Sequence, residues 1–356
     1  MRKVADVAPE VRDRLAVRFG DEVRAWCDTL PELVGNLTAR WRLELVEANG
    51  GGTSRVFRCL RRDTGTSAWL KLTPEPALAR EEAAALTAWA GTPSVVTLLA
   101  QDLEAGALLL EDVEPGVPVR RLDRRLPEVA ALLRDLRAPA APPGAPAPPP
   151  GAPAPPPGAP AAPPGAPAPP PGAPAPPPGA PAPPPGAPAP PPGAPAPLPE
   201  RPPAVQPLAQ RVEFLFRLTS RRLAASGTGG LLDPAVLGRA RGAALDLASD
   251  GPRTLVHGDL HPDNVLSGPG ARMVAIDPRP AWGDPDFDAV DWVLDGVTTF
   301  AALEERAREL AALVPGQSPD RVLGWCRSLA VLNAALGICA RRDDAKTRFL
   351  IALASA

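Results

Sequence analysis

The sequence predicts an α+β fold in two parts: a small antiparallel sheet, then a larger and mostly helical region interrupted by a proline-rich insert. Three observations carry this. Short alternating runs bounded by turn residues occupy 41–72 and 95–110. From 126 onward apolar residues recur mainly at helical spacing. Inside that region, from Gly144 to Pro199, the unit Gly-Ala-Pro-Ala-Pro-Pro-Pro repeats in eight imperfect copies.

Taken in order, residues 10–29 carry Val11, Leu15, Phe19, Val23 and Trp26 at helical spacing, with Leu30 beyond, and Pro31 is expected to end that helix. Trp41–Ala48 alternates as a strand, and a second strand follows through Val56, Phe57 and Cys59. The turn between them, Asn49-Gly-Gly-Gly-Thr-Ser54, lets backbone N–H groups approach an anion without side-chain obstruction, and Thr53 and Ser54 add hydroxyls. Ser67–Leu72 is the third strand, a helix is expected over Ala77–Ala90, and Val95–Ala100 and Ala107–Leu110 read as two more strands. Leu126–Leu136, Ala204–Ala225, Pro234–Ser249, Ala289–Val297, Ala301–Val314, Pro319–Arg341 and Ala345–Leu353 read as helices.

The repeat has too little side chain to bury a core, and proline removes backbone donors. With its flanks, 138–203, it is expected to be disordered or polyproline II. A long insert costs little loop-closure entropy, so the helical region can fold around it. It reads as an expanded loop; the alternative is a ligand for a proline-recognition domain, although a tract without flanking charge suits that poorly.

Length and charge bound the rest. The 356 residues suffice for one large domain or two lobes. A net charge of −2 gives no nucleic-acid footprint and is compatible with a cationic substrate. Cys27, Cys59, Cys326 and Cys339 show no paired spacing and read as reduced thiols. The N-terminus has no apolar signal core, and no apolar run is expected to span a bilayer, so the expected location is the cytoplasm with no membrane partner. Lysine occurs only at positions 3, 71 and 346 in an arginine-rich chain, so Lys71 is expected to do something arginine cannot.

The chemistry concentrates in Leu255-Val-His-Gly-Asp-Leu-His-Pro-Asp-Asn-Val-Leu266, which holds both histidines, His257 and His261. Phosphoryl transfer needs a carboxylate to orient the attacking hydroxyl and oxygen ligands to hold Mg²⁺ against phosphates. Asp259 and Asn264 stand five apart, and Asp277 ends the apolar run Met273-Val-Ala-Ile276; a hairpin across Gly268-Pro-Gly270 would return Asp277 beside Asn264. Asp259 is therefore expected to be the catalytic base, and Asn264 and Asp277 the metal ligands. His257 and His261 are expected to be structural. Lys71, on the third strand, fits a lysine contacting nucleotide phosphates, with Glu81 or Glu82 pairing with it from the following helix.

His-Gly-Asp-Leu-His-Pro-x-Asn resembles the catalytic loop of the aminoglycoside phosphotransferase superfamily. The segment Ala275-Ile-Asp-Pro-Arg-Pro-Ala-Trp-Gly-Asp-Pro-Asp-Phe-Asp288 is similar to the signature of its streptomycin 6-kinase and hydroxyurea phosphotransferase branch. The resemblance covers about residues 40–356 and is most specific over 255–288. It implies a protein-kinase-like two-lobed fold: 1–113 as N-terminal helix and nucleotide-binding lobe, and 114–356 as the lobe with catalytic loop and acceptor site. It also implies ATP as co-substrate with Mg²⁺, Gly51, Gly52, Thr53, Ser54, Lys71 and Glu82 around the phosphates, and adenine on the backbone at Glu111 and Val113. The implied acceptor is a small molecule, foremost a cationic aminoglycoside such as streptomycin, with hydroxyurea or another metabolite as the alternative. Asp284, Asp286, Asp288 and Asp291 would attract such a cation, although Asp284 and Asp288 also read as turn or capping residues. A protein kinase fits less well, because no Asp-Phe-Gly or Ala-Pro-Glu follows. A catalytically idle scaffold displaying the proline tract is the non-enzyme alternative, and the full set of Lys71, Asp259, Asn264 and Asp277 argues against it.

Overall fold

The computed structural model describes residues 6–50, 53–122, 125–138, 200–228 and 232–356. The proline repeat lies outside the described residues, as do Gly51 and Gly52.

Two helices, not one, precede the sheet: α1 (Pro9–Phe19) and α2 (Val23–Arg40). The break falls at Gly20, whose φ of 84° is glycine territory, and Pro31 sits inside α2 instead of ending it. An interior proline forfeits one helical hydrogen bond. Here the apolar face holds the helix together across it: Val23, Cys27, Leu30, Val34 and Leu37, spaced four and three apart, are all buried.

The sheet comprises β1 (Leu43–Gly50), β2 (Arg55–Arg61), β3 (Ser67–Leu72), β4 (Leu98–Asp102) and β5 (Ala107–Glu111) in the order β1-β2-β3-β5-β4, antiparallel throughout. Strand alternation turns Phe57, Cys59, Leu70 and Leu72 into one core with Leu15, Cys27, Leu30 and Leu37 from the two helices. Each such buried side chain contributes roughly 1.5–3 kcal/mol. Lys71, between Leu70 and Leu72, points to the opposite face; its strand neighbours are Val56 and Leu108. That face meets α3 (Pro76–Ala88).

The segment expected to form a strand at 95–100 is displaced. Residues 94–96 pair across to the helical region, Val96 N–H donating to Ala275 C=O at 3.0 Å and Ala275 N–H to Ser94 C=O at 2.9 Å, so β4 starts only at Leu98.

The second core is larger and gathers α4 (Leu126–Arg137), α5 (Leu208–Ser226), α6 (Pro234–Ser249), α7 (Val290–Leu294), α8 (Phe300–Leu313), α9 (Pro319–Cys339) and α10 (Ala345–Ser355). α5 begins later than the apolar spacing suggests, because Gln206 and Pro207 pair with Ala281 and Trp282 as an edge strand first. α7 is short because a 3-10 turn, Pro285–Ala289, occupies its expected start. α9 corrects the expectation about apolar runs: it is long and apolar enough to cross a membrane by length and composition. In this fold it is a core helix, with Val322, Trp325, Cys326, Ala330 and Val331 fully buried and α6, α8 and α10 packed around it. The α+β two-part architecture expected from the sequence is the one observed.

Candidate active site

A short strand, Thr254–Val256, delivers the chain to His257. The loop then runs through Asp259 to a 3-10 turn at Pro262–Asn264. The expected hairpin follows: Val265–Ser267 pairs with Met273–Ala275, and Ile276 N–H donates to Asn264 C=O at 2.9 Å. That bond sets Asp277 beside Asn264. Asp277 has a φ of 54°, a left-handed conformation that aspartate enters more readily than most non-glycine residues.

The loop is tied from beneath. Asp288 is buried and accepts from the backbone N–H groups of His257 at 2.7 Å and Gly258 at 2.9 Å. Burial pushes its carboxyl up to about 6 despite those two donors. His257 is fully buried; its Nε2 donates to Ile276 C=O at 3.1 Å, and burial lowers its pKa to about 4. Its ring stacks on Trp89, just past α3, at 6.4 Å, while Trp89 Nε1 donates to Leu136 C=O at 3.1 Å. Gly258 has a φ of +74°, and a Cβ there would stand 2.1 Å from the Arg279 carbonyl oxygen, so only glycine fits.

Asp259 is about one-third exposed and accepts from two sides: Arg211 at 3.1 Å on Oδ1 and Asn264 Nδ2 at 3.2 Å on Oδ2. Asn264 Nδ2 also donates to the Asp259 backbone carbonyl at 3.0 Å. With its amide nitrogen so committed, Asn264 offers its oxygen. Together with the Asp277 carboxylate this makes a pair of hard oxygen donors, the chemistry that suits Mg²⁺, which takes its remaining ligands from phosphates and water.

Across the cleft, Lys71 Nζ lies 2.5 Å from Glu82 Oε2 and 2.6 Å from Asp277 Oδ1. Burial alone would depress that ammonium, but Asp277 and Glu82 hold it above its ordinary value. The same burial would raise Asp277, yet Lys71 and Arg279 keep it below the usual carboxylate range. Glu82, not Glu81, is the partner: neighbours on a helix point about 100° apart, and only Glu82 is buried in α3.

Among the other expected contacts, Thr53 Oγ1 accepts from Arg279, while Ser54 is buried. Glu111 ends β5 with its N–H given to Thr97 C=O at 3.0 Å, and Val113 is buried in the following loop. His261 caps its own turn, Nδ1 accepting from Asp263 N–H at 3.2 Å, and its Nε2 stands 3.9 Å from Asp259. Most of the acidic cluster is internally committed. Asp284 takes Arg321 at 2.6 Å, Trp325 at 2.8 Å and the Asp286 N–H at 3.0 Å; Asp286 takes Arg137 at 3.0 Å. Asp291, raised mainly by burial, senses His261 and Asp259 and bonds Asn333.

Two site residues were not anticipated. Arg211 arrives from α5, 48 positions before Asp259, and no local pattern announces it. Arg279 lies two positions after Asp277 in Asp-Pro-Arg, and its place near a metal-type aspartate was the available signal.

Residues 194–339 match the family described as aminoglycoside/hydroxyurea antibiotic resistance kinase. The chain is 28% identical over 348 residues to a streptomycin 6-kinase of Streptomyces glaucescens, spanning 93% of this chain and 91% of that protein. It is 28% identical over 344 residues to a hydroxyurea phosphotransferase of Kitasatospora aureofaciens, spanning 94% and 81%. Among solved structures, a choline kinase of Streptococcus pneumoniae shares the fold, with a TM-score of 0.52 at 12% identity over 91% of this chain and 99% of that one.

Proposed function

We propose that this chain is a phosphotransferase of the aminoglycoside phosphotransferase branch acting on a hydroxyl acceptor, and that it transfers the γ-phosphoryl of ATP to an aminoglycoside, in the manner of a streptomycin 6-kinase. The observation that carries the reading is the convergence on one cleft of the Lys71–Glu82 pair, Asp277 and the Asp259–Asn264 pair.

In this mechanism the glycine-rich turn and Thr53 approach the phosphates, and adenine uses the backbone at Glu111 and Val113. Lys71 exchanges the Asp277 carboxylate for nucleotide phosphate oxygens while Glu82 keeps its ammonium oriented. Asn264 and Asp277 would hold Mg²⁺, which neutralises charge on the phosphates. Asp259 accepts a hydrogen bond from the acceptor hydroxyl and takes its proton. The hydroxyl oxygen bonds to the γ-phosphorus as the bond to the β-phosphate bridging oxygen breaks, and ADP leaves. Arg211 and Asn264 fix the carboxylate from both sides, which suits a loose transition state that needs orientation more than strong proton abstraction. The four unpaired thiols suit a reducing compartment, in keeping with a cytoplasmic enzyme.

Hydroxyurea is the second acceptor reading, supported by the equal identity of the chain to a hydroxyurea phosphotransferase. The deciding experiment is ADP release from Mg-ATP with streptomycin, other aminoglycosides, hydroxyurea or no acceptor, with Asp259→Asn alongside. Turnover on streptomycin that disappears in the variant is the expected result. Turnover on hydroxyurea alone would transfer the assignment to that acceptor, and nucleotide binding with no turnover on any member of the panel would sink the antibiotic-kinase reading.

A further inference from the structure

We propose that Arg279 binds the transferring phosphoryl group, its guanidinium moving from the Thr53 hydroxyl to the γ-phosphate oxygens of a bound nucleotide. The proposal rests on the nucleotide site described above and adds a residue to it.

The backbone of Arg279 is held rigidly. Its N–H donates to His257 C=O at 2.9 Å, and its own carbonyl closes against Gly258, where even a methyl group has no room. The side chain therefore starts from a fixed point between catalytic loop and metal-type aspartate. From there it spans the cleft. One terminal nitrogen lies 3.5 Å from Asp277 Oδ1 and donates to Thr53 Oγ1, on the far side, at the edge of the glycine-rich turn. A triphosphate that touched both Lys71 and Thr53 would therefore meet this guanidinium. The side chain is only 11% exposed.

Its present partners do not use its full capacity. Asp277 is already bonded at 2.6 Å by Lys71, so Arg279 is the longer-range cation there, and a threonine hydroxyl is a neutral acceptor. A phosphate oxygen adds the attraction of opposite charges and a bidentate geometry that a single neutral hydroxyl cannot offer. A phosphate oxygen arriving beside Thr53 is the better acceptor on charge and on fork geometry alike. Charge points the same way. Without ligand, Lys71, Arg18, Arg211 and Arg279 face Glu81, Glu82, Asp277 and Asp259, a balanced set. A triphosphate brings an excess of negative charge, and Arg211 is committed to Asp259 and the Gly258 carbonyl. Arg279 is the guanidinium positioned to take the terminal phosphate, where charge shifts as the phosphoryl group departs.

The test compares ligands that differ only in their phosphates. Binding of ATP and of AMP, each with Mg²⁺, is measured by calorimetry for the wild type, Arg279→Gln and Arg279→Lys, together with kcat and KM for ATP on an active acceptor. In Arg279→Gln, AMP affinity stays within about twofold, ATP affinity falls about tenfold, and kcat falls on the order of 10²-fold, as for other lost transition-state donors. Arg279→Lys keeps the charge without the fork and lies between, and it decides the matter should the glutamine variant fail to fold. Equal losses for ATP and AMP, or an ATP-to-AMP ratio unchanged in both variants, would mean that Arg279 only ties the loops together. A wild type that binds neither nucleotide would fail the underlying nucleotide site instead, which separates the two outcomes.

Discussion

His257 and Asp288 are hydrogen-bonded neighbours whose ionisations oppose each other, so replacing one exposes the other. The folded protein keeps His257 neutral down to about pH 4, against an ordinary 6.5. That stabilises the fold above pH 6.5 and is lost as the pH falls toward 4, because the unfolded histidine takes up a proton that the folded one refuses. Asp288 runs the other way. Its carboxyl is raised from 3.8 to about 6, so its contribution is present below 3.8 and lost as the pH rises through 6. Each is worth about 3 kcal/mol across its window at ~1.4 kcal/mol per pH unit, and between pH ~4 and ~6 the two slopes cancel. His257→Gln keeps a donor toward the Ile276 carbonyl and removes the histidine term. Relative to the wild type, its unfolding free energy then falls by about 1.4 kcal/mol for each unit of rising pH between ~4 and ~6. Denaturant unfolding of both proteins at half-unit steps through that range measures the difference. A vertical offset with parallel profiles would refute the opposed-ionisation account, whatever the size of the offset.

Two further outcomes follow from the charge network. Lys71→Met leaves Glu82 and Asp277 without their shared ammonium, so besides losing nearly all ADP release the variant is destabilised by about 3–5 kcal/mol, read by thermal and denaturant melts; full stability would contradict the 2.5 Å pairing. Asp284→Ala removes the partner of Arg321 and Trp325 and costs a similar ~3–5 kcal/mol, while turnover per folded molecule and KM for the acceptor stay unchanged; a raised acceptor KM would return Asp284 to the substrate wall.

The candidate catalytic stretch was legible because its parts are local. Asp259, Asn264 and Asp277 lie within one loop and one hairpin, so spacing alone implies their proximity. Lys71 and Glu82 were legible for a related reason, a strand followed directly by a helix. What was lost depends on partners distant in the chain. Arg279 reaches Thr53 across 226 positions and Arg211 reaches Asp259 across 48. The misplaced boundaries share that cause: residues 94–96 are claimed by Ala275, and Gln206 by Ala281, and neither claim leaves a local trace. The acidic run after Asp277 was ambiguous because sequence shows charge but not burial; Asp284, Asp286 and Asp288 prove to be internal ligands of arginine and backbone.

The stacking of Trp89 on His257 has a bearing on control. Kinases that are switched on and off commonly do so by moving the helix that carries the lysine's glutamate. Here that helix is fastened at its far end: the indole lies on the catalytic loop and is bonded to the carbonyl of Leu136. Glu82 cannot swing away from Lys71 without dragging Trp89 out of two contacts at once. Displacing that helix would therefore be felt at His257 and at Leu136 together, so the Lys71–Glu82 pair and the Asp259 segment are mechanically joined through one indole.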